Sequence, residues 1–233
     1  MSLFSFRKKQ KKRSKLNGED EFTRSEFPKR LSAHPIILEV GAHEGGHTRR
    51  FMECFPEGQI YCFEPDPRAI ASFQRQIHDQ RVRLSEIAIG AATGQQEFFV
   101  SDGVPPDADP QKWPEGWFAS GSLREPKEVK SLHSWVKFPK TIKVKVETLD
   151  NWCESNGLMG KIDLIWADVQ GAEIDLIRGG LKTLARTHYL YTEYNEKELY
   201  AGQIGLDEML NLLPHFVVEK RFTDDVLLRN SRW

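Results

Sequence analysis

Residues 43–47 spell H-E-x-x-H, the pattern of zinc metallopeptidases. In those enzymes both histidines lie on one face of an established helix, where positions i and i+4 bring two imidazoles to one Zn²⁺ and the glutamate acts as general base. Here the pattern directly follows a strand-like apolar run, and Gly45 and Gly46 would each cost a helix about 1 kcal/mol. The extended pattern also requires glycine and histidine where this chain has Arg50 and Glu53. We therefore interpret the segment as a glycine-containing turn and keep the zinc peptidase as an alternative.

A turn of this kind at the carboxyl end of a first strand is where open α/β sheets bind small molecules. Gly41 allows a sharp exit from the strand, and Gly45 or Gly46 allows the backbone to approach a ligand closely. Glu64 follows at the predicted end of the second strand, the position from which a carboxylate holds ribose hydroxyls. The combination predicts a ligand that contains adenosine.

Two residues of the turn distinguish between adenosine-containing ligands. Dinucleotide-binding proteins use G-x-G-x-x-G, whose middle glycine leaves room for the pyrophosphate, and here that position is His43. Glu39 at the end of the strand would repel a diphosphate, but it suits a ligand with an ammonium and a sulfonium group. The charges therefore favour S-adenosylmethionine over NAD.

Alternating strands and helices must position these residues. Short apolar runs suited to strands alternate with segments of helical spacing, which predicts an α/β fold with a largely parallel sheet covered by helices on both faces. A terminal hairpin predicts one antiparallel strand at the end of the sheet. Residues 141–150 alternate apolar residues with lysine, as expected near a sheet edge. The predicted strands lie within residues 34–43, 58–64, 81–90, 95–100, 141–150, 161–169, 188–195, 216–222 and 225–230, and the predicted helices within 48–55, 67–77, from 150 onward, 173–186 and 206–213.

The chain of 233 residues, 39% of them apolar, is most simply one domain at residues 31–233, preceded by a basic extension at residues 1–30. Residues 101–126 are rich in proline and include Trp113 and Trp117, and we interpret them as an insertion loop. Such a loop suits an apolar lid or wall over a substrate, or a partner surface.

The formal net charge of −1 gives no reason to expect a nucleic-acid-binding protein. Residues 7–15 nevertheless hold seven basic side chains and no acidic one. We expect this arm to be a disordered, solvated tail, with weak contact to an anionic surface as the functional alternative. That alternative defines a second hypothesis, a non-catalytic adaptor that binds lipid or RNA through the arm.

No apolar run after the basic arm fits a secretory signal, and no stretch is long and apolar enough for a transmembrane helix. The cysteines Cys54, Cys62 and Cys153 are odd in number and lack the spacing of a metal site. We therefore expect reduced cysteines and a cytoplasmic protein. The oligomeric state stays open.

Five motifs follow one another along the chain: ILEVGAHEGGHT, YCFEPDP, SGSL, TLD and IDLIWADVQGAEIDLIRGG, of which the last is the most specific. In this order they resemble the FkbM family of S-adenosylmethionine-dependent methyltransferases, and the resemblance covers roughly residues 35–230. The resemblance implies a Rossmann-like fold with a seven-stranded, mostly parallel sheet whose last strand is antiparallel. It also implies O-methylation of a hydroxyl on a sugar, glycan, polyketide or related metabolite.

The resemblance also implies the cofactor contacts. Many family members have lysine at the position of Trp166, so a role of that lysine does not carry over to this chain. The implied contacts are Glu39, Gly41, Ala42, His43 and Gly45 with the methionine part, Glu64 and Pro65 with the ribose, and Glu86 to Ala88 with the adenine.

Methyl transfer from a sulfonium is an in-line displacement in which the chain mainly aligns the reactants, although an alcohol acceptor still benefits from a general base. Asp168 and Glu193 are the candidates, because both follow strands that end at the ligand edge of the sheet. The alternatives are that Asp168 caps the next helix and that Glu193 is a surface carboxylate paired with a lysine. We expect no metal ion, because no Asp-Asn pair completes a ligand shell.

Overall fold

Helices and strands alternate along most of the chain. The computed structural model describes residues 23–109 and 116–233. In the described ranges the elements are a helix at residues 23–30 (α1), β1 (Ile36–Val40), α2 (Gly46–Cys54), β2 (Gln59–Phe63), α3 (Pro67–Gln76), β3 (Val82–Ser85), β4 (Ala88–Ile89), β5 (Gly94–Asp102), α4 (Val129–Leu132), β6 (Lys137–Glu147), α5 (Leu149–Ser155), β7 (Ile162–Ala167), α6 (Glu173–Gly179), α7 (Leu181–Ala185), β8 (Thr187–Glu193), α8 (Leu206–Leu212), β9 (Phe216–Arg221) and β10 (Asp225–Asn230).

The main sheet has seven strands in the order β3-β2-β1-β7-β8-β10-β9. Five strands of this sheet are parallel to one another: β3, β2, β1, β7 and β8. Strand β10 is antiparallel to both β8 and β9. This confirms the predicted α/β class and the antiparallel last strand. From β1 the sheet extends through β2 to β3 on one side, and from β7 it extends through β8 on the other. The strand order therefore reverses between β1 and β7, and the carboxyl ends of these two strands form the crevice in which doubly wound folds bind ligands.

Helices cover both faces of the sheet, as predicted. On one face, apolar side chains of α1, α2 and α3 pack on Ile37, Leu164 and Leu227. On the other face, apolar side chains of α5, α6, α7 and α8 pack on Leu38, Ile165 and Leu228. Strands buried on both faces are continuous apolar runs, which explains why β7 is the most apolar strand of the sheet.

Residues 95–100 and 141–150 lie largely in strands, as predicted, but the expected position of residues 141–150 near a sheet edge is wrong. They form β5 and β6, which pair with each other and with β4 in a separate three-stranded sheet of order β4-β6-β5. The reason is that β6 is apolar on one face only. Its Val144 and Val146 form a small separate core with Phe98 and Val100, while the lysines point outward.

The predicted helix over residues 173–186 is divided into α6 and α7. The division falls at Gly180, which leaves the helical conformation with φ −128° and ψ 18°. As a result Leu181, which the helical spacing assigned to the buried stripe, is 52% exposed. The caps of α3 and α5 are local and follow the sequence, since Asp66 accepts a hydrogen bond from the Arg68 amide and Thr148 accepts one from the Asn151 amide.

The amino-terminal boundary differs from the prediction. Residues 23–30, which we assigned to the extension, form α1, and Phe27 is fully buried against Trp166 with 6.2 Å between the ring centroids. The basic arm at residues 7–15 lies outside the described residues.

The predicted insertion loop, residues 101–126, begins inside β5, and Ser122 pairs with Phe99 of that strand. Trp113 lies outside the described residues. In the part of the chain that the structure describes, no helix is long and apolar enough to cross a membrane.

The end of α6 touches the backbone that leaves the small sheet, and a substitution tests this contact. A Cβ at Gly179 would lie 2.0 Å from the Gly90 carbonyl oxygen. We expect Gly179→Ala to lower the free energy of unfolding by about 2 kcal/mol, the cost typical of overpacking. Urea unfolding followed by circular dichroism measures the change. Gly160→Ala is the matched control, since a Cβ there meets nothing within 4 Å, and equal effects of the two substitutions would contradict this account.

Candidate functional site

A cavity of about 250 Å³ lies at the carboxyl ends of β1, β2 and β7. Its polar part comes from the three loops that follow these strands, and its apolar part comes mainly from the β3–β4 region, the small sheet and the segment after residue 116. The polar and small lining residues include Gly41, Ala42, His43, Gly46, His47, Arg50, Glu64, Pro65, Asp168 and Gln170, and the apolar ones include Phe63, Ile87, Ala88, Ile89, Phe98, Phe118 and Leu123.

The loop after β1 is held between its two neighbouring strands. The amides of Gly41 and Ala42 both donate to the Phe63 carbonyl oxygen, at 2.9 and 3.0 Å, and the Asp168 amide donates to the Val40 carbonyl oxygen at 2.9 Å. Gly41 has φ 86°, and a Cβ there would lie 1.9 Å from the Asp168 carbonyl oxygen. Only glycine fits this turn.

The H-E-x-x-H residues do not form a zinc-binding helix. Helix α2 begins at Gly46, and His43 lies before it in a left-handed conformation with φ 50°. The His43 ring contacts Phe118 at 4.8 Å between centroids, whereas the His47 ring contacts Trp166 at 4.4 Å. Within the described ranges no group of three or more His, Cys, Asp or Glu residues is arranged to hold a metal ion.

The residues implied for the cofactor divide into two groups. Gly41, Ala42, His43, Glu64, Pro65 and Ala88 line the cavity, whereas Glu39, Gly45 and Glu86 do not. A Cβ at Gly45 would lie 2.8 Å from Ile77 Cγ1, so this glycine allows α2 and α3 to pack. The Glu86 carboxyl accepts a hydrogen bond from the Gln74 amide outside the cavity.

Glu64 is fixed at the cavity by its own backbone surroundings. Its Oε2 accepts from the His43 amide and its Oε1 accepts from the Asp66 amide, both at 2.8 Å. Burial raises the pKa of Glu64 to about 7 in spite of these bonds. Each carboxylate oxygen has a second lone pair, so Glu64 can still accept hydrogen bonds from a ligand.

Glu39 lies on the other side of the β1 turn, against α2. Its Oε2 accepts from the Thr48 hydroxyl at 2.6 Å, while its Oε1 has no hydrogen-bond partner among the described residues. The residue is only 1% exposed, and burial raises its pKa to about 8. The structure therefore does not bring Glu39 together with Glu64 in the cavity wall.

The position of the family lysine is filled by Trp166 in the core of the domain. Its ring stacks on Tyr191, with 3.8 Å between centroids and 4° between planes, and contacts Phe51 edge-on. His47 lies against the same ring, and burial lowers the pKa of His47 to about 3. The imidazole is therefore neutral and serves as part of the apolar wall.

Asp168 and Glu193 are joined by Gln170, a residue of the same motif as Asp168. The Gln170 amide nitrogen donates to Asp168 Oδ1 at 2.6 Å and to Glu193 Oε2 at 3.2 Å. Asp168 lines the cavity, and Glu193 does not. Helix α6 begins after Ala172 without a side-chain cap, so the alternative that Asp168 caps this helix is wrong.

Sequence reasoning missed several cavity residues. Phe98, Phe118 and Leu123 were not predicted individually, because they come from segments far from the glycine turn in sequence. The signals available were the predicted insertion loop, which includes Phe118 and Leu123, and the motif SGSL, which ends at Leu123. Gln170 follows Asp168 by two residues in the most specific motif, and this closeness to a candidate base was the signal that could have identified it.

Burial of Glu39 predicts a pH-dependent stability. Its folded pKa lies above the ordinary value of 4.5, so its protonated form stabilises the fold, and this contribution is lost as the pH rises to about 8. We expect the free energy of unfolding to fall by about 1 kcal/mol from about pH 7 to about pH 8 through Glu39 alone. Urea unfolding at the two pH values measures the fall. In Glu39→Gln the decrease in the free energy of unfolding between the two pH values should be smaller by about half or more, and in the exposed Glu208→Gln it should be the same as in the wild type. An unchanged decrease in Glu39→Gln would contradict the assignment.

Comparison with known proteins agrees with the site. The methyltransferase FkbM domain model matches residues 39–222. The 2-O-methyltransferase NoeI of Sinorhizobium fredii is 44% identical over 203 residues, which cover 85% of this chain and 80% of the relative. Methyltransferase 1 of Beauveria bassiana is 23% identical over 62% of this chain and 57% of its own length.

A solved structure shows the same fold. It is that of a Klebsiella pneumoniae protein described as an O-methyltransferase, with a TM-score of 0.51 and 17% identity over 91% of this chain and 80% of that one. On the extent of the domain match and the 44% identity, the chain belongs to the FkbM methyltransferase family.

Proposed function

We propose that this methyltransferase uses S-adenosylmethionine to methylate a hydroxyl group of a sugar or glycan. The observation that carries the cofactor is the Glu64 carboxylate, fixed by two backbone amides at the edge of the cavity. A carboxylate at this strand end suits the two hydroxyls of a ribose. At Gly41 the cavity wall is backbone alone, because a Cβ there would collide with the Asp168 carbonyl oxygen.

The cavity residues fit the parts of the cofactor. Gly41, Ala42 and His43 would hold the methionine part, and Glu64 with Pro65 would hold the ribose. The apolar wall at Ile87 and Ala88 suits the adenine ring. When bound, the cofactor supplies a methyl group on a sulfonium centre that is already activated as a leaving group.

In this proposal Glu39 acts from the side of the β1 turn that faces α2. It does not line the cavity, and one oxygen of its buried carboxyl has no hydrogen-bond partner among the described residues. A cationic ligand near the β1 turn would favour the ionised form of this carboxyl. Glu39 would then contribute charge rather than a direct hydrogen bond.

The acceptor hydroxyl requires a group that removes its proton as the new C–O bond forms. Asp168 lines the cavity and is the direct candidate, and Glu193 is joined to it through the Gln170 amide. The proposed hydroxyl acceptor is supported by the relative in Sinorhizobium fredii, whose name specifies 2-O-methylation. The apolar wall built by Phe118 and Leu123 would contact the acceptor or the edge of the cofactor.

Loss of the Glu64 charge should weaken cofactor binding. We expect the wild-type chain to bind S-adenosylmethionine in titration calorimetry, and Glu64→Gln to raise the Kd at least about tenfold because hydrogen bonds to a charged acceptor are lost. Glu208→Gln, on the exposed side of α8, is the control and should bind as the wild type does. Absence of binding by the wild type would reject the cofactor, and an unchanged Kd for Glu64→Gln would reject the role of this carboxylate.

Loss of the Asp168 charge should affect turnover far more than cofactor binding. We expect Asp168→Asn to lower kcat about 100-fold or more, as for removal of a general base, with a Kd for S-adenosylmethionine within about threefold of wild type. Transfer of labelled methyl groups to a panel of methyl glycosides measures turnover, and calorimetry measures the Kd. The exposed Asp207→Asn should change neither quantity, and equal losses of turnover and affinity in Asp168→Asn would exclude an acceptor-side role.

A further inference from the structure

Gln170 places one amide group between two carboxylates at the acceptor side of the cavity. An amide nitrogen carries two hydrogens. The Gln170 nitrogen uses them on two partners, Asp168 Oδ1 at 2.6 Å and Glu193 Oε2 at 3.2 Å. One side chain thus bridges the ends of β7 and β8.

The amide itself is held from its other end. The Tyr200 hydroxyl lies 3.2 Å from Gln170 Oε1 and 2.9 Å from the Ser120 carbonyl oxygen, so its hydrogen is shared between these acceptors. With Oε1 toward the Tyr200 hydroxyl, the amide nitrogen faces the two carboxylates, which as ionised groups only accept hydrogen bonds. Tyr200 is 2% exposed, and the Ser122 hydroxyl donates to the Gln170 main-chain oxygen at 2.7 Å.

We propose that Gln170 is a positioning residue for the acceptor-side base: its amide keeps the Asp168 and Glu193 carboxylates ionised and holds Asp168 toward the acceptor hydroxyl. This inference rests on the proposed O-methyltransferase function. The physical reason is that two nearby carboxylates disfavour each other's ionisation, whereas a hydrogen-bond donor shared by both favours the charged forms.

Acidic groups lie near the pair. The negative charge of Asp168 contributes to the raised pKa of Glu64, of Glu173 and of the Tyr200 hydroxyl. Asp225 of β10 is the cross-strand neighbour of Glu193 in the sheet. Among the basic groups that the structure describes in this region, Arg50 lines the cavity and Arg124 is paired with Asp175.

A purely structural role for Gln170 predicts different behaviour. Its backbone has φ 52°, and its main-chain oxygen accepts from Ser122, so the residue also shapes the turn. Replacement by methionine retains the length of the side chain and the main-chain bond, and it removes the amide donor together with the Oε1 acceptor that faces the Tyr200 hydroxyl. A turn-forming role alone would leave the titration of the carboxylates unchanged.

The experiment measures how the carboxylates titrate in three variants. Gln170→Met should move the acid limb of the kcat profile to higher pH by about one unit, and Gln170→Glu, which adds a negative charge, should move it further. Gln203→Met is the matched control, because Gln203 accepts from the Tyr200 amide and does not contact either carboxylate in the described structure. Its acid limb should coincide with that of the wild type.

A second readout does not depend on the acceptor. Carbon-13 NMR of labelled aspartate and glutamate, assigned with Asp168→Asn and Glu193→Gln, should show both carboxyl signals titrating at higher pH in Gln170→Met. Tyr200→Phe, which removes the hydroxyl that orients the amide, should shift them in the same direction by less. Unchanged titration in a folded Gln170→Met overturns the inference. Shifted titration in a protein that transfers no methyl group supports the role of the amide and rejects the proposed function alone.

Discussion

The close approach of the β1 turn to the end of β7 is the constraint on which the site depends. The Asp168 carbonyl oxygen occupies the space that a Cβ at Gly41 would need, and the Asp168 amide is bonded to the Val40 carbonyl oxygen. The same contact thus places the cofactor-side loop and the acceptor-side carboxylate against each other. Two halves of a parallel sheet that meet without side chains between them can present two ligands to each other at short range.

Buried carboxyl groups are the second organising feature, and they differ in how their burial is compensated. Glu64 accepts hydrogen bonds from two backbone amides, and Glu173 accepts one from the Gly171 amide. Burial nevertheless raises the pKa of each to about 7. Glu39 has one unpaired oxygen and the highest of these values, about 8. Burial thus favours the neutral form of all three acids, and a cationic group near the β1 turn would favour the ionised form of the carboxyl groups nearest to it.

The sequence predicted what local rules determine. The β1 turn, the carboxylate at the end of β2, the cap of α3 and the order of the strand-helix units follow from short-range patterns, and Gly41, Glu64 and Asp66 lie as those patterns indicate. The membership of β5 and β6 in a second sheet did not follow, because strand pairing over about 40 residues depends on which apolar face finds a partner. The exclusion of Gly45 and Glu86 from the cavity has the same origin, since their contacts with Ile77 and Gln74 come from packing between elements.

The division of the site between two kinds of segment explains why the family pattern says little about the acceptor. The proposed cofactor side is built from strand ends whose geometry the main sheet fixes. The proposed acceptor side adds Phe118 and Leu123 from the segment after residue 116. Tyr200, from the region between β8 and α8, supports this side through Gln170. Loops of this kind tolerate change because the sheet does not depend on them. The Gln170 amide lies where the two kinds of segment meet, since it contacts carboxylates at strand ends on one side and the Tyr200 hydroxyl of a loop on the other. A change in the loops can therefore alter the chemistry of the acceptor-side carboxylates without altering any residue of the strand ends.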